Sequence, residues 1–329
     1  HSYDVFVSTG GGYAQLASTE FTTNQTNQVV QLPPIDTRTN PNVFGSTLLE
    51  ARVAFRGSPP DYVDGSVHVA NAPALRMDIT PSIRTIMRAN GWTVGAACQD
   101  RWFALPYTAG KEPTDTVVLD ILKMDWATGF SDVRKSVDAG FNLIEVLPDR
   151  VKIKERIKAQ VRARQVVLPT PGHSANFGTK ASSLEVDGQG HNFPRFNRYW
   201  ILEQSYAPYL LPLDDFTAAV ARCTVRYIAL GQITNTGAGG YTVSVTELGA
   251  YILDSFDFKD EEQELGYWSV KTNDVARTSL GTNYTRVTNA TYRAWRQRNS
   301  RGVDYTNFSD ILSRKANLTF PATPAELTP

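Results

Sequence analysis

With 329 residues, 41% of them hydrophobic and 20% charged, the chain has the make-up of a folded globular protein, which excludes wholesale disorder and fibrous repeats. Its 33 basic residues balance 33 acidic ones, so no global field draws it toward nucleic acid or an anionic membrane, and any charged partner has to be met by a local patch. No window approaches the roughly 18 consecutive apolar residues of a membrane-spanning helix. Two cysteines, Cys98 and Cys223, form neither a disulfide framework nor a zinc cluster and read as buried free thiols.

The chain opens His1-Ser2-Tyr3, with no methionine and no apolar export segment, which suggests a start trimmed by processing. Residues 1–75 combine short alternations (Tyr3, Val5, Val7; Val53, Phe55) with Pro33-Pro34, Asn40-Pro41 and Pro59-Pro60, a pattern of strands joined by proline-broken turns. From Thr80 the period changes. Thr80 and Pro81 can open a helix, Ile83, Ile86 and Met87 share one face, and Gly91 can close it. Further helices are expected over Val94 to Phe103, with Cys98 and Trp102 on one face, over Asp115 to Met124, and from Ser131 through Val133 and Val137 to Gly140. Between Asp149 and Arg164, Ile153, Ile157 and Val161 recur every fourth residue, while seven basic residues, Arg150 to Arg164, stand against Glu155 alone. That amphipathic helix is expected to pack its apolar stripe inward and to offer a face for an anionic surface.

Residues from Pro169 to about Phe196 are glycine-rich and polar and read as a long loop holding His173 and His191. Beyond it, Arg222 to Leu230 alternates, Gly237 to Gly240 can turn the chain, and Tyr241, Val243 and Val245 alternate with Thr242, Ser244 and Thr246, which predicts a hairpin. Asn289 can cap a short helix carrying Tyr292 and Trp295, followed by a strand-like stretch from Val303 to Ile311. Strands, then helices, then strands argue for α+β rather than a doubly wound sheet. Three regions follow, 1–75, 76–168 and 169–329, expected to interdigitate as one body.

No G-x-S-x-G, H-E-x-x-H, phosphate-loop or dinucleotide-binding glycine pattern is present, and the sequence names no cofactor or metal. Two polar clusters stand out instead. In the first, six carboxylates face one lysine between Asp254 and Glu264. Asp254 and Asp257 sit there among apolar and aromatic residues, where partial burial tunes a carboxylate for acid-base or cation-binding work. The second runs from Tyr292 to Asp310, with Trp295, Arg296, Arg301, Asp304 and Asp310. Its guanidinium groups can clamp an anionic substrate or lock a helix to a sheet. Trp268 and Trp295 are expected in the core or on a cleft wall.

Ordered blocks of residues resemble an uncharacterised bacterial family found among type VI secretion and polymorphic-toxin loci. They are Met87-Arg88 to Gly91-Trp92, Asp100 to Ala104, Lys123 to Phe130, Glu247-Leu248-Gly249 with Asp254 to Phe258, Leu265 to Ser269, and Trp295-Arg296 leading through Arg301-Gly302 and Asp304-Tyr305 to Phe308-Ser309-Asp310. The resemblance spans Ile79 to Ile311. In its closing block Asn299, Ser300 and Val303 stand where the family has histidine, glycine and glycine. Asp254 to Asp257 also resembles the Asp-x-Tyr-Asp element of colicin M-like lipid II phosphodiesterases, without the His-Arg pair that follows there.

The resemblance implies a protein made in the bacterial cytoplasm, delivered into a target cell, and met by a secretion-apparatus or immunity protein. The leading expectation is an antibacterial effector that hydrolyses an anionic envelope substrate. Asp254, Asp257, Arg301 and Asp304 would do the chemistry, with Arg296, Trp268, Trp295 and Asp310 binding the substrate. The competing expectation is a non-enzymatic adaptor, cargo or structural component of the secretion apparatus, in which both motifs are architectural.

Overall fold

In a computed structural model the described residues are 79–146, 150–207, 213–237, 239–259, 263–278 and 283–329, together with the backbone of four N-terminal strands. The turns expected at Pro33-Pro34, Asn40-Pro41 and Pro59-Pro60 lie outside them. The protein is α+β. It divides into two compact units, His1–Ile79 with Val270–Thr272, and Thr80–Ser269 with Asn273–Pro329.

In the first unit, β1 (Ser2–Ser8), β2 (Tyr13–Glu20), β3 (Leu48–Phe55) and β4 (Tyr62–His68) form an antiparallel sheet in the order β2-β1-β3-β4. The predicted alternations of Tyr3 to Val7 and Val53 to Phe55 fall within β1 and β3.

The second unit opens with α1 (Thr80–Ala89), which buries Ile83, Ile86 and Met87 as its spacing requires. Gly91, at φ 75°, ends it: Trp92 N–H donates to Met87 O (2.8 Å) and Gly91 N–H to Arg88 O (3.0 Å), the paired bonds of a Schellman cap. The turn starts α2 (Thr93–Ala104), with Cys98 and Trp102 fully buried.

Asp115 to Met124 is not the expected helix. A 3-10 turn at Pro113–Asp115 leads into β5 (Val117–Val118), and only α3 (Met124–Ala127) is helical. The valines satisfy strand and helix patterns alike, and parallel pairing with Thr306 and Asn307 decides for strand. Helix α4 (Ser131–Val146) runs through Gly140 rather than stopping there. A Cβ at Gly140 would lie 2.1 Å from the Tyr227 ring, so glycine marks close approach in mid-helix, not a terminus. Helix α5 (Val151–Arg162) buries Ile153 and Ile157 and half-buries Val161.

The expected long loop is broken into β6 (Ser174–Phe177), β7 (Leu184–Val186), β8 (Asn192–Pro194) and a 3-10 turn at Arg195–Tyr199. Short edge pairings too brief to leave a periodic trace create this order. Then come β9 (Trp200–Tyr206), α6 (Asp215–Ala219), and the predicted hairpin of β10 (Cys223–Asn235) and β11 (Tyr241–Phe256). After β12 (Glu264–Ser269), β13 (Asp274–Ala276) and β14 (Thr285–Thr288), α7 (Asn289–Asn299) starts one residue after its cap, Thr288, which exchanges hydrogen bonds with Thr291. The chain finishes with β15 (Tyr305–Phe308), β16 (Leu312–Ala322) and α8 (Pro324–Leu327).

The hairpin is the axis of a seven-stranded sheet ordered β5-β15-β11-β10-β6, with β16 also on β11 and β9 on β10. One face carries Phe193, Phe196, Tyr199, Ile228, Tyr251 and Phe308 as a core cluster. The opposite face meets the helices. Tyr227 lies against Gly140 of α4 and donates to Val137 O (3.2 Å), and Tyr305 donates to Cys98 O of α2 (2.9 Å).

Candidate functional site

Along β11, Ile252, Asp254 and Phe256 fall at alternate positions and so share the face turned toward the helices. Phe256 stacks on Tyr305 there, with ring centroids 5.2 Å apart. Strand periodicity thus carries Asp254 inside: it is 7% exposed and, among the described residues, has no ion-pair partner. Burial, followed by the charge of Asp257, pushes its carboxyl well above the ordinary range, against one opposing hydrogen bond from the Ser255 backbone. Asp257, one residue past the strand, is half-buried and shifted in the same direction by burial, with the charge of Asp304 adding to it. Hydrogen bonds from the Lys259 backbone (3.4 Å) and the Ser255 side chain favour its charged form. Two carboxylates three residues apart therefore face different surroundings.

Both line a pocket of about 670 Å³ between α2, α6, the end of β11, β12 and α7. Gln99 reaches it from α2. It is 4% exposed, and its Oε1 has no hydrogen-bond partner. Asn289 Oδ1 is likewise without one, while its Nδ2 donates to Gln263 Oε1 (3.0 Å). Trp268 and Trp92 meet edge to face at 6.0 Å on the wall. Arg222 and Arg277 line the pocket from exposed positions and make no ion pair among the described residues. Glu264 is paired with Arg286, Asp214 caps α6 by accepting from Thr217 N–H, and Asp254 is held toward its neutral form. Asp257 also makes no ion pair among the described residues.

The second polar motif goes elsewhere. Arg296 pairs with buried Asp304 and lies over the rings of Trp102 (5.2 Å) and Tyr107 (5.1 Å), while Trp102 Nε1 donates to Asp304 (3.0 Å). Arg301 is exposed and donates to Ala104 O (2.9 Å); Trp295 packs edge-on against Phe103 (4.5 Å). Asp310 accepts from Met124 N–H (2.7 Å), capping α3. Arg296, Arg301, Asp304, Trp295 and Asp310 are therefore not among the residues lining the pocket, whereas Asp254, Asp257 and Trp268 are.

The basic helix is largely engaged. Arg150 donates to Ile144 O and Glu145 O (2.6 Å each), Lys154 pairs with Glu326, Arg156 covers Trp200 at 3.5 Å, and Lys158 donates to Ala325 O. Lys152, Arg162 and Arg164 remain exposed. His173 bonds within its own turn, and His191 lies 3.3 Å from Asp187. Cys98 and Cys223 are buried and unpaired, and burial pushes the Cys98 thiol up to about 12, which keeps it from acting as a thiolate. Among the described residues no group of three or more His, Cys, Asp or Glu is placed to hold a metal ion, and no helix is long and apolar enough to cross a membrane.

The model of a family of unknown function (DUF6402) matches residues 78–321. The chain belongs to that family. The DUF6402 match contains the whole stretch of ordered blocks from Ile79 to Ile311, every described pocket residue and the second motif, and it assigns no activity to any of them. No curated protein and no solved structure matches the chain.

Within the DUF6402 region, sequence reasoning passed over Gln99, Arg222 and Arg277 and saw Asn289 only as a cap. Gln99 had a readable signal: at four residues after Gly95 and three before Trp102, it puts an amide on the buried face of α2. Arg222 and Arg277 had none, because they stand alone in sequence and only the fold brings them to one opening.

Proposed function

We propose that this DUF6402 protein is an antibacterial effector of a type VI secretion system and that its pocket hydrolyses an anionic cell-envelope substrate. The observation that carries the chemistry is the pair of aspartates at the pocket: burial raises both carboxyls, Asp254 well above the ordinary range, while at half-buried Asp257 hydrogen bonds from Lys259 and Ser255 oppose the rise. Two titratable groups whose surroundings differ in this way suit the roles of acid and base. Water attacks the substrate, its proton passes to Asp257, and the leaving group departs with the proton of Asp254. Proton exchange with solvent resets the pair. Arg222 and Arg277 attract the negative charge, a role the sequence had given to Arg296 and Arg301. The secretion setting rests on the family-like blocks between Ile79 and Ile311.

The second reading is a non-enzymatic adaptor, cargo or structural part of the secretion apparatus. Favouring it, Arg296, Arg301, Asp304 and Trp295 all tie α7 and its exit to α2. Periplasmic export in a susceptible bacterium separates the two. For the hydrolase, wild-type protein in the periplasm halts growth, cytoplasmic protein is tolerated, and Asp257→Asn loses toxicity at an unchanged melting temperature. Toxicity retained by a folded Asp257→Asn variant removes Asp257 from the mechanism, and no toxicity in either compartment favours the adaptor.

A further inference from the structure

A β-strand at the edge of a sheet turns a row of backbone N–H and C=O groups outward, and what satisfies such a row is another extended strand. In the seven-stranded sheet, β5 and β6 close their sides with two and four residues. Strand β16 is different. Its 11 residues, Leu312–Ala322, pair with β11 on one side, and no strand among the described residues pairs with the other.

The side chains report the same open edge. On β11, Val243 and Val245 are buried, whereas Phe320 and Leu318, their partners across the ladder, are only half-buried. Leu312, Arg314 and Ala316, at alternate positions with them, are half-buried as well. The register with β11 shifts between Val245 and Glu247, yet half-buried and exposed positions alternate along β16 without a break from 312 to 321. One further strand covers this face and satisfies the free backbone groups together.

The sequence of β16 selects a strand that fits, its own copy. An antiparallel pair of identical strands has a two-fold axis, and full overlap of Leu312–Ala322 sets that axis at the middle residue, Asn317. Leu312 then faces Ala322 and Leu318 faces Ala316, large against small. Arg314 faces Phe320 and Lys315 faces Thr319, so neither cation of the strand meets its like. Arg314 is also held from its own chain by Glu145 (3.4 Å) and lies 5.7 Å from the Phe141 ring. Asn317, the residue that meets itself, is neutral. Pro321, with no N–H to give, falls beside the end of the ladder, where it interrupts least.

We propose that two copies of this chain associate through β16, antiparallel about Asn317, and join their sheets into one. The association stands apart from the pocket, since none of the described lining residues lies on β16. The test is sedimentation velocity of the full chain over a concentration series, with cysteine cross-linking to read the register.

Wild-type protein is expected at twice 36.4 kDa. Thr319 is exposed, so its substitutions should leave the melting temperature unchanged. Thr319→Lys sets a second cation opposite the copy's Lys315, twice by symmetry, and should weaken the dimer by about tenfold; Thr319→Glu should tighten it by a similar factor. Mild oxidation should join Asn317→Cys into a covalent dimer and leave Ser313→Cys as single chains, because Cys98 and Cys223 are buried and Ser313 stands too far from its own copy for a disulfide. Sedimentation at the mass of one chain at about 100 µM, where a micromolar complex is nearly full, overturns the inference. So does a dimer that ignores both Thr319 substitutions and does not cross-link through Asn317→Cys.

Discussion

Asp215 couples the fold to the pocket, and replacing it tests how the helical wall is held. The cap position of α2 is Trp92, which gives no side-chain hydrogen bond. The Asp215 carboxylate supplies the cap from another helix: it accepts from Val94 N–H (3.2 Å) and Gly95 N–H (2.7 Å) at the first turn of α2, and from Trp126 Nε1 (3.1 Å). Negative charge at a helix N-terminus also complements the helix dipole. Asp215→Ala removes a cap contributing about 1 kcal/mol and a charge-assisted bond to an indole of about 1.5–3 kcal/mol, so destabilisation of roughly 3 kcal/mol is expected. For a unit of this size that lowers the melting temperature by about 10 °C. Tryptophan fluorescence is the assay, because all six tryptophans lie in the second unit and report its unfolding alone. Asp215→Asn, which keeps one acceptor oxygen and loses the charge, should fall about halfway. A melting temperature within about 1 °C of the parent for Asp215→Ala would refute the capping argument.

Asp254→Asn tests the cause of the raised carboxyl pKa. Since the folded state holds the Asp254 proton above the pH at which an unfolded carboxylate releases it, about 4, wild-type stability should fall as pH rises from there through the folded pKa. A neutral asparagine removes that slope, so the variant should melt at or above wild type at pH 8; a lower melting temperature there would mean that the ionised form makes a native contact. Ile157, 1% exposed on α5, tests the inward stripe of the basic helix: Ile157→Asp should cost about 3 kcal/mol or more in chemical denaturation, and an unchanged midpoint would place that face outside the core.

Elements whose pattern had a single solution were legible. Alternation across Tyr241 to Thr246 with glycines before it admits little but a hairpin, and Ile83, Ile86 and Met87 ahead of Gly91 admit little but a capped helix. Val117 and Val118 fit two periods, and the decision came from a strand nearly two hundred residues away. The strand Leu312–Ala322 lacks a clear apolar stripe because its inward positions are only half-buried and Arg314 and Ala316 stand among them between Leu312 and Leu318. Gly140 was read as a helix end since sequence cannot tell a glycine chosen for its backbone from one chosen to admit Tyr227.

The candidate site divides on the same physical line. Asp254 and Asp257 were visible because carboxylates among aromatic residues are costly unless something uses them. The second motif was equally visible and leads away from the pocket. Its density is what a buried Arg296–Asp304 pair over Trp102 requires, since a charge taken out of water needs an opposite charge, a donor and a ring close by. A binding surface imposes the opposite demand. Arg222 and Arg277 line the pocket with no ion pair among the described residues, and neither lies within the two polar motifs of the sequence. Clustered polar residues therefore mark where a fold satisfies its own charges. The groups held for a ligand emerge only when burial and hydrogen bonding show which of them remain unsatisfied.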